Sequence, residues 1–180
     1  MKTILETERL ILRELIPEDA NLIFELNADK EVIKHTGDQS FNSIKEAREF
    51  LCNYQDYKLN GFGRWGVFIA SNNEFIGWCG LKLHHDGFVD IGFRLMKKYW
   101  NKGFATEAAS GCLRYGFEQL NLREIFARVA EENKASIKVL EKLNMIFVRK
   151  ETCNGIVDAN LYSINKTRFE LIKMSNRKIT

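Results

Sequence analysis

The chain has one proline, three histidines and four cysteines in 180 residues, and each shortage removes a class of protein. The cysteines, Cys52, Cys79, Cys112 and Cys153, form no Cys-x-x-Cys pair. That removes a zinc ribbon and a thioredoxin-like redox motif. Three of the four lie among apolar neighbours, as buried thiols do, and a reducing cytoplasm is their simplest home. His84 and His85 are adjacent, so on a strand they point to opposite faces and do not share a metal ion, and they are expected to be solvated hairpin residues. No metal site is expected. Nor does any Ser-His-Asp spacing point to a covalent intermediate. A net charge of +3 falls short of the clustered basicity of a nucleic-acid binder. No apolar run approaches a membrane span, and the opening MKTILETERLILREL is broken by charges throughout. It reads neither as a signal peptide nor as a spanning helix. There is no repeat, low-complexity tract or linker, so residues 1–180 are expected to form one domain with its core over 8–168.

What remains is an ordinary globular composition, 45% hydrophobic and 28% charged, organised around residues 90–116. Ile91, Phe93 and Leu95 alternate with Gly92, Arg94 and Met96, the period of a half-buried strand. Lys97-Lys98-Tyr99-Trp100-Asn101-Lys102-Gly103 interrupts that period. Beyond it Ala105, Ala109, Cys112, Gly116 and Leu120 return close to a helical one. Thr106 and Glu107 fall in the first turn of this helix, where an acid suits the dipole. The first amides of a helix lack partners and carry partial positive charge, a ready site for an anion such as phosphate. Gly103 and Ala105 allow close approach, and Lys97, Lys98 and Lys102 add charge. The plainer reading is a strand-to-helix connection with a solvated lysine run.

Tyr-Trp-Asn-Lys-Gly-Phe-Ala-Thr-Glu-Ala (99–108) resembles the acetyl-coenzyme A signature of the GNAT superfamily of N-acetyltransferases, Gln/Arg-x-x-Gly-x-Gly/Ala. Gly103 and Ala105 take its small positions and Trp100 stands in place of Gln/Arg, as is usual in the branch resembling the ribosomal-protein (Rim-type) N-terminal acetyltransferases. Asn133-Lys-Ala-Ser136-Ile-Lys-Val-Leu-Glu141-Lys142-Leu-Asn144-Met resembles that branch's Asn-x-x-Ser-x-x-x-x-Glu-Lys-x-Gly-Phe. Glu6 to Arg13 resembles its opening strand, T-x-R-L-x-L-R. Asn144 stands where the family has Gly, a mild departure because Asn tolerates the left-handed conformation.

Elsewhere the pattern predicts strands at 10–12, 65–70, 75–84, 88–96, 124–130, 147–151 and 156–164. Hairpin turns are expected at Asn72-Asn73, Asp86-Gly87 and Asn154-Gly155. Helices are expected after Pro17, from Ser43 through Leu59, over 103–120 and over 135–143, with a short helix inside 29–41 and a final half-turn at 169–173. Gly61-Phe-Gly63-Arg-Trp-Gly66 matches a dinucleotide fingerprint in letters only, because a helix precedes it and a strand follows. The fold class is α/β of the α+β kind: a mixed, twisted, mostly antiparallel sheet of about seven strands with about four helices. The resemblance implies the GNAT fold, splayed between its fourth and fifth strands, here 88–96 and 124–130, with the cofactor in the splay.

The resemblance then implies an acetyl-CoA-dependent N-acetyltransferase. The cofactor-binding residues would be Phe93, Arg94, Leu95, Trp100, Asn101, Lys102, Gly103, Phe104, Ala105, Thr106, Asn133 and Ser136. The pyrophosphate needs the donors of 101–106, and the pantetheine amides can pair with the Phe93–Leu95 edge as a peptide would. Acyl transfer needs a neutral amine, an oxyanion donor and a proton for the departing thiolate. The Leu95 amide is the candidate oxyanion donor. The resemblance gives Asn133 to coenzyme A contact and Ser136 to the thiol as proton donor, because Leu140 stands where many relatives have Tyr. Capping alone is the plainer reading of both Asn133 and Ser136. Asp90, Glu131 and Glu151 are candidate bases by position, Glu151 completing the catalytic set, unless a water chain serves instead. The resemblance places the acceptor near His35, Phe41, Trp65, Trp78 and the 152–158 turn, where core packing is the plainer reading of the aromatics and the expected one for Trp78 on its central strand. It would be a protein N-terminus or a small amine such as an antibiotic or polyamine. A coenzyme A sensor without turnover is the non-enzymatic alternative. No nucleic acid or membrane partner is expected, and a homodimer stays open.

Overall fold

A computed structural model describes residues 2–153 and 156–177. Eight strands form one sheet in the order β1-β2-β3-β4-β5-β6-β8-β7. They are β1 (Thr3–Glu6), β2 (Leu10–Arg13), β3 (Arg64–Ile69), β4 (Phe75–Leu83), β5 (Val89–Leu95), β6 (Glu124–Ala130), β7 (Ile146–Cys153) and β8 (Ile156–Asn165). Every neighbouring pair is antiparallel except β5 and β6, which run parallel. The helices are α1 (Ala20–Ala28), α2 (Lys30–Ile33), α3 (Ile44–Cys52), α4 (Asp56–Asn60), α5 (Phe104–Glu118), α6 (Lys134–Lys142) and α7 (Lys166–Arg177).

The period-2 pattern sorts the two faces of the sheet. Val67, Cys79 and Leu81 point to the face covered by α5, where Ala108, Ala109, Cys112, Leu113 and Phe117 are buried. Phe68 and Phe75 point to the other face, under Ile23 and Leu26 of α1 and Ala47 and Leu51 of α3. Small residues let α5 lie close to the sheet: a Cβ on Gly116 would come within 2.7 Å of Ile125 Cδ1. Cys79 and Cys112 meet in this layer as thiols, Sγ to Sγ 3.6 Å, while Cys52 is exposed.

Three elements differ from the sequence expectation. β1 adds an eighth strand, paired with β2 across a short turn at 7–9, although its four residues are too few to show a period. The helix expected over 43–59 breaks after Cys52, because the Tyr54 hydroxyl turns to accept a bond from the Arg64 amide at 2.8 Å. The expected final half-turn is the twelve-residue α7. Tertiary packing decides it: Phe169 and Ile172, three residues apart, lie on the core, and the Phe169 ring sits 4.8 Å from that of Phe117. The turn expected at Asn154-Gly155 lies outside the described residues.

A buried ion pair fixes α1 to the sheet. Arg13 Nη1 and Nη2 donate to Asp19 Oδ2 and Oδ1 at 2.7 and 2.8 Å. Asp19 Oδ2 also accepts from the Ile16 amide at 2.9 Å, and the guanidinium stacks on Phe68 at 4.0 Å. Removing one partner of such a pair strands the other charge in the interior. Asp19→Ala is expected to cost about 3–5 kcal/mol, read as a lowered urea midpoint with an unchanged m-value.

Candidate active site

The site begins where the sheet opens. β5 and β6 share one register pair, Asp90 with Phe126, and part beyond it. On the other side of β5 the Met96 amide donates to Ile76 O at 2.9 Å, and Leu95 stands opposite Gly77. Antiparallel alternation then turns the backbone of Arg94 toward β4 and that of Phe93 and Leu95 toward the gap. The Trp100 indole folds back and donates Nε1–H to Leu95 O at 2.7 Å. What β5 offers the gap is therefore the Phe93 peptide groups and the Leu95 amide.

Beyond Leu95, a 3₁₀ turn at Lys97–Tyr99 leads into a tight bend. Asn101 and Gly103 both take the left-handed conformation, with φ of 59° and 82°. Alternating backbone hands of this kind point successive amides at one spot, an anion nest. A Cβ on Gly103 would meet only the tip of Arg9, at 3.4 Å, so the φ requirement rather than crowding selects glycine. The first intrahelical bond of α5 runs from the Glu107 amide to Gly103 O at 3.0 Å. The amides of Phe104, Ala105 and Thr106 are thus the helix's orphan donors.

Glu107 is a carboxylate beside this positive pole, and the β1–β2 turn neutralises it. The Thr7 hydroxyl, the Arg9 amide and Arg9 Nε donate to it at 2.6, 2.9 and 2.6 Å. Arg9 Nη1 also donates to Lys102 O at 3.2 Å, and the guanidinium lies over Phe104 at 4.4 Å. Burial pushes the Glu107 carboxyl up, but the Thr7 and Arg9 bonds outweigh it and hold the group below its ordinary range.

α6 forms the far wall. Asn133 caps it, its Oδ1 accepting from the Ser136 amide at 3.1 Å. The Ser136 hydroxyl makes no hydrogen bond among the described residues, so capping belongs to Asn133 alone. Lys134, Lys138 and Lys142, four residues apart, share one face of α6. A cavity of about 560 Å³ lies between these parts. It is lined by Phe93, Arg94, Leu95, Trp100, Asn101, Gly103, Phe104, Ala105 and Thr106 from the sheet side, and by Asn133, Ser136 and the three lysines from α6. Of the predicted cofactor residues only Lys102 is outside it, its ammonium 5.5 Å above the Tyr99 ring. Lys98 is held aside by Glu74 at 2.8 Å.

A second cavity, about 510 Å³, opens on the other side of the same junction and shares His35, Thr36, Phe93, Arg94, Asn133 and Ser136 with the first. Leu140 lines it. Its floor carries two guanidiniums on one indole, Arg64 at 5.4 Å and Arg94 at 5.2 Å from the Trp78 ring. Arg64 Nη2 donates to Asp90 Oδ1 at 2.6 Å. His84 Nε2 lies 3.0 Å from the same oxygen, an ion-pair distance without hydrogen-bond geometry. Burial pushes the Asp90 carboxyl up, but Arg64 and His84 overcome it and the pKa lies below the ordinary value. Arg94 Nη1 donates to Asn27 Oδ1 at 2.6 Å and Nη2 to the Asp38 carboxylate.

Several expectations change here. Glu151 does not reach the junction: its two oxygens are taken by Arg128 Nε at 2.7 Å and Arg149 Nη2 at 2.8 Å. Glu131 is half-buried and paired with Lys150 at 2.6 Å. Asp90 is the one candidate base that lines the second cavity, and it is engaged by Arg64. The backbone of Arg94 is spent on β4, so the pantetheine edge reduces to Phe93 and Leu95. Trp65 is core, fully buried and edge-on to Tyr115 at 5.3 Å, whereas Trp78, Phe41 and His35 line the cavity. His84 is largely buried rather than solvated. The 152–158 turn includes residues outside the described ones. Among the described residues no three His, Cys, Asp or Glu side chains are grouped to hold a metal ion.

A domain model described as Acetyltransferase (GNAT) domain matches residues 9–146. The chain belongs to the GNAT acetyltransferase family. It is an acetyl-CoA-dependent N-acetyltransferase. Among its relatives, the N-acetyltransferase p20 of Bacillus licheniformis is 34% identical over 92% of this chain and 97% of its own. YoaA of Bacillus subtilis, also called an N-acetyltransferase, is 35% identical over 93% and 99%. Two solved structures share the fold. One is a spermidine N-acetyltransferase from Vibrio cholerae in complex with CoA and spermine, TM-score 0.76, 21% identical, covering 91% of this chain and 99% of that one. The other is a ribosomal-protein-S5-alanine acetyltransferase from Vibrio fischeri, TM-score 0.77, 21% identical, covering 92% and 97%.

In this GNAT acetyltransferase the sequence reading missed Lys138 and Lys142. Their signal was present as a four-residue spacing from Lys134 on a helix already placed at the site. It also missed Arg64 and Asp38, which are brought in from residues far along the chain.

The Thr7–Glu107–Arg9 contact generates a pH prediction. With a folded pKa below its ordinary value, Glu107 contributes stability above the ordinary carboxylate range, near ~4.3. That contribution is lost as the pH falls through the folded pKa. Melting curves at stepped pH should show Glu107→Gln melting below the parent at neutral pH, with the gap closing in acid.

Proposed function

We propose that acetyl-CoA occupies the cavity between the Gly103 bend, β5 and α6, and that a primary amine enters through the second cavity. The carrying observation is that the two cavities share Phe93, Asn133 and Ser136 where β5 and β6 part. Three features fit a coenzyme A. Orphan amides at Phe104–Thr106 suit its pyrophosphate. The Lys134–Lys138–Lys142 face suits its phosphate charge. The Phe93 peptide groups and Leu95 amide suit the pantetheine amides.

Acetyl-CoA, when bound, supplies an acetyl carbonyl activated as a thioester. The Leu95 amide stabilises the negative charge that develops on that carbonyl oxygen. The amine nitrogen bonds to the carbonyl carbon, the carbon–sulfur bond breaks, and Ser136 delivers a proton to the sulfur and takes one back from water. The nitrogen's proton leaves to water or to Asp90; Glu151, held by two arginines, is not used. Asn133 holds the start of α6 so that Ser136 faces the junction. The acceptor is a protein N-terminus or a small amine. The Rim-type motifs favour the first, and the paired guanidiniums beneath the second cavity disfavour a polycation. Residues 1–180 act as one catalytic domain, with its core over 8–168. We place the reaction in the cytoplasm, supported by the free thiols of Cys52, Cys79 and Cys112. Among the described residues no helix is long and apolar enough to cross a membrane.

Thiol release from acetyl-CoA over a panel of amines tests the reading directly. Ser136→Ala should lower kcat by about 10²-fold with little change in cofactor affinity or melting temperature, because its hydroxyl holds no structural bond. An unchanged single-turnover rate would remove Ser136 from the mechanism. Cofactor affinity by calorimetry should fall for Lys138→Glu, and for the parent it should weaken as salt rises. Salt-independent affinity would contradict the phosphate assignment.

A further inference from the structure

We propose that the acceptor amine carries a carboxylate nearby, that Arg94 reads it, and that Asp38 stands in for it in the acceptor-free protein. The proposal rests on the amine entering through the second cavity, and it deepens that reading by naming the acceptor's chemistry.

Two arginine–carboxylate pairs in this protein are instructive side by side. In Arg13–Asp19 both partners are buried and two parallel bonds join them. That is the geometry of a structural tie. In Arg94–Asp38 the guanidinium side chain is 6% exposed but the carboxylate is 56% exposed. Arg94 Nη1 is anchored by Asn27, whose oxygen is neutral, and Nε is buried and has no hydrogen-bond partner among the described residues. A buried donor without an acceptor costs free energy. The fork is therefore half used, and its one negative partner among the described residues is a carboxylate carried on a solvent-facing loop.

That backbone is residues 34–43, a stretch without a helix or strand between α2 and α3. Gly37, Asp38, Gln39 and Ser40 are exposed, and His35 and Thr36 line both cavities. Asp38 can leave Arg94 without dismantling any packed element. A carboxylate arriving with the acceptor can then take Nη2 and Nε together, the side-on fork that a planar guanidinium offers.

The surroundings agree. Arg94 and Ser136 both line both cavities, so a carboxylate on Arg94 lies in the space the reacting amine must enter. Arg64 reinforces the positive floor. Its guanidinium fills the space over Gly92, where a Cβ would come 2.8 Å from its central carbon. Cations near an amine favour the amine's neutral form, which is the nucleophilic one. A polyamine would meet these guanidiniums with like charge.

The experiment measures kcat/KM for acetyl transfer to matched acceptors. One arm uses free amino acids against their carboxamides. A second uses short peptides with glutamate against glutamine at the second residue, and spermidine serves as a polycation. Carboxylate acceptors should exceed their amides by about tenfold or more, the two arms telling whether a free α-carboxylate or an acidic side chain is read. Arg94→Gln should erase the preference. Asp38→Asn, whose amide oxygen can still accept from Arg94, should lower KM for carboxylate acceptors several-fold by removing the charged competitor, with its melting temperature read alongside. Calorimetry with the N-acetyl amino acid product, without acetyl-CoA, gives a second readout: tighter binding to Asp38→Asn supports the proposal. Equal use of acids and amides by parent and Asp38→Asn, or a preference for spermidine, would overturn it while leaving acetyl transfer intact. Carboxylate-dependent product binding without thiol release on any amine would instead sink the two-cavity reading and keep Arg94 as a carboxylate site.

Discussion

One unpaired stretch of backbone governs this molecule. An open strand edge inside a sheet is costly, because its peptide groups need partners and its edge invites aggregation. Here β5 and β6 begin as neighbours at Asp90 and Phe126 and then separate. The opening leaves Phe93 and the Leu95 amide facing a gap that a peptide-like ligand can complete. Trp100 limits the exposure by occupying the Leu95 carbonyl. The gap is walled by the start of α5 and by α6, which shelter its unpaired peptide groups.

Around that gap the protein solves an electrostatic problem twice. A helix start proposed to bind phosphate should be positive, yet Glu107 sits in the first turn of α5. Thr7 and Arg9, about a hundred residues earlier in the chain, cancel that charge and bind the bend itself through Lys102 O. The opening T-x-R-L segment thus explains its company with the distant Gly103 bend: the two are halves of one contact. On the acceptor side, Asp90 and Asp38 hold Arg64 and Arg94 in place and keep their burial affordable. The difference is that Asp90 is as buried as its arginine, whereas Asp38 is not.

Local chemistry was legible in the sequence. The 90–116 stretch announces strand, bend and helix by period and glycine placement, and Asn133 announces a cap. The parallel opening between 88–96 and 124–130 came from the resemblance and stands as β5 and β6. Long-range pairing was not legible. No local pattern says that Arg94 will meet Asp38 rather than solvent, or that Arg64 will fill the space over Gly92, since both depend on how loops close over the sheet. α7 was misread for the same reason, because Phe169 and Ile172 form a helix by packing on Phe117 rather than by their own propensity. Glu151 was misplaced because proximity to the splay in sequence order ignores which face of β7 it uses and which arginines hold it.

The two readings of Asn133 and Ser136 illustrate how structure separates what spacing merges. Three residues apart at a helix start, either could cap and either could do chemistry. The Asn133 side chain takes the cap by accepting from the Ser136 amide. That act frees the Ser136 hydroxyl from any structural duty and fixes its position in the first turn of α6. The cap is thus what makes a serine there useful, because an unbonded hydroxyl on a frayed turn would point nowhere in particular. With Leu140 lining the second cavity where a phenol could have stood, the proposed proton delivery at this junction falls to the hydroxyl of Ser136, which the helix start holds in place and which makes no hydrogen bond among the described residues.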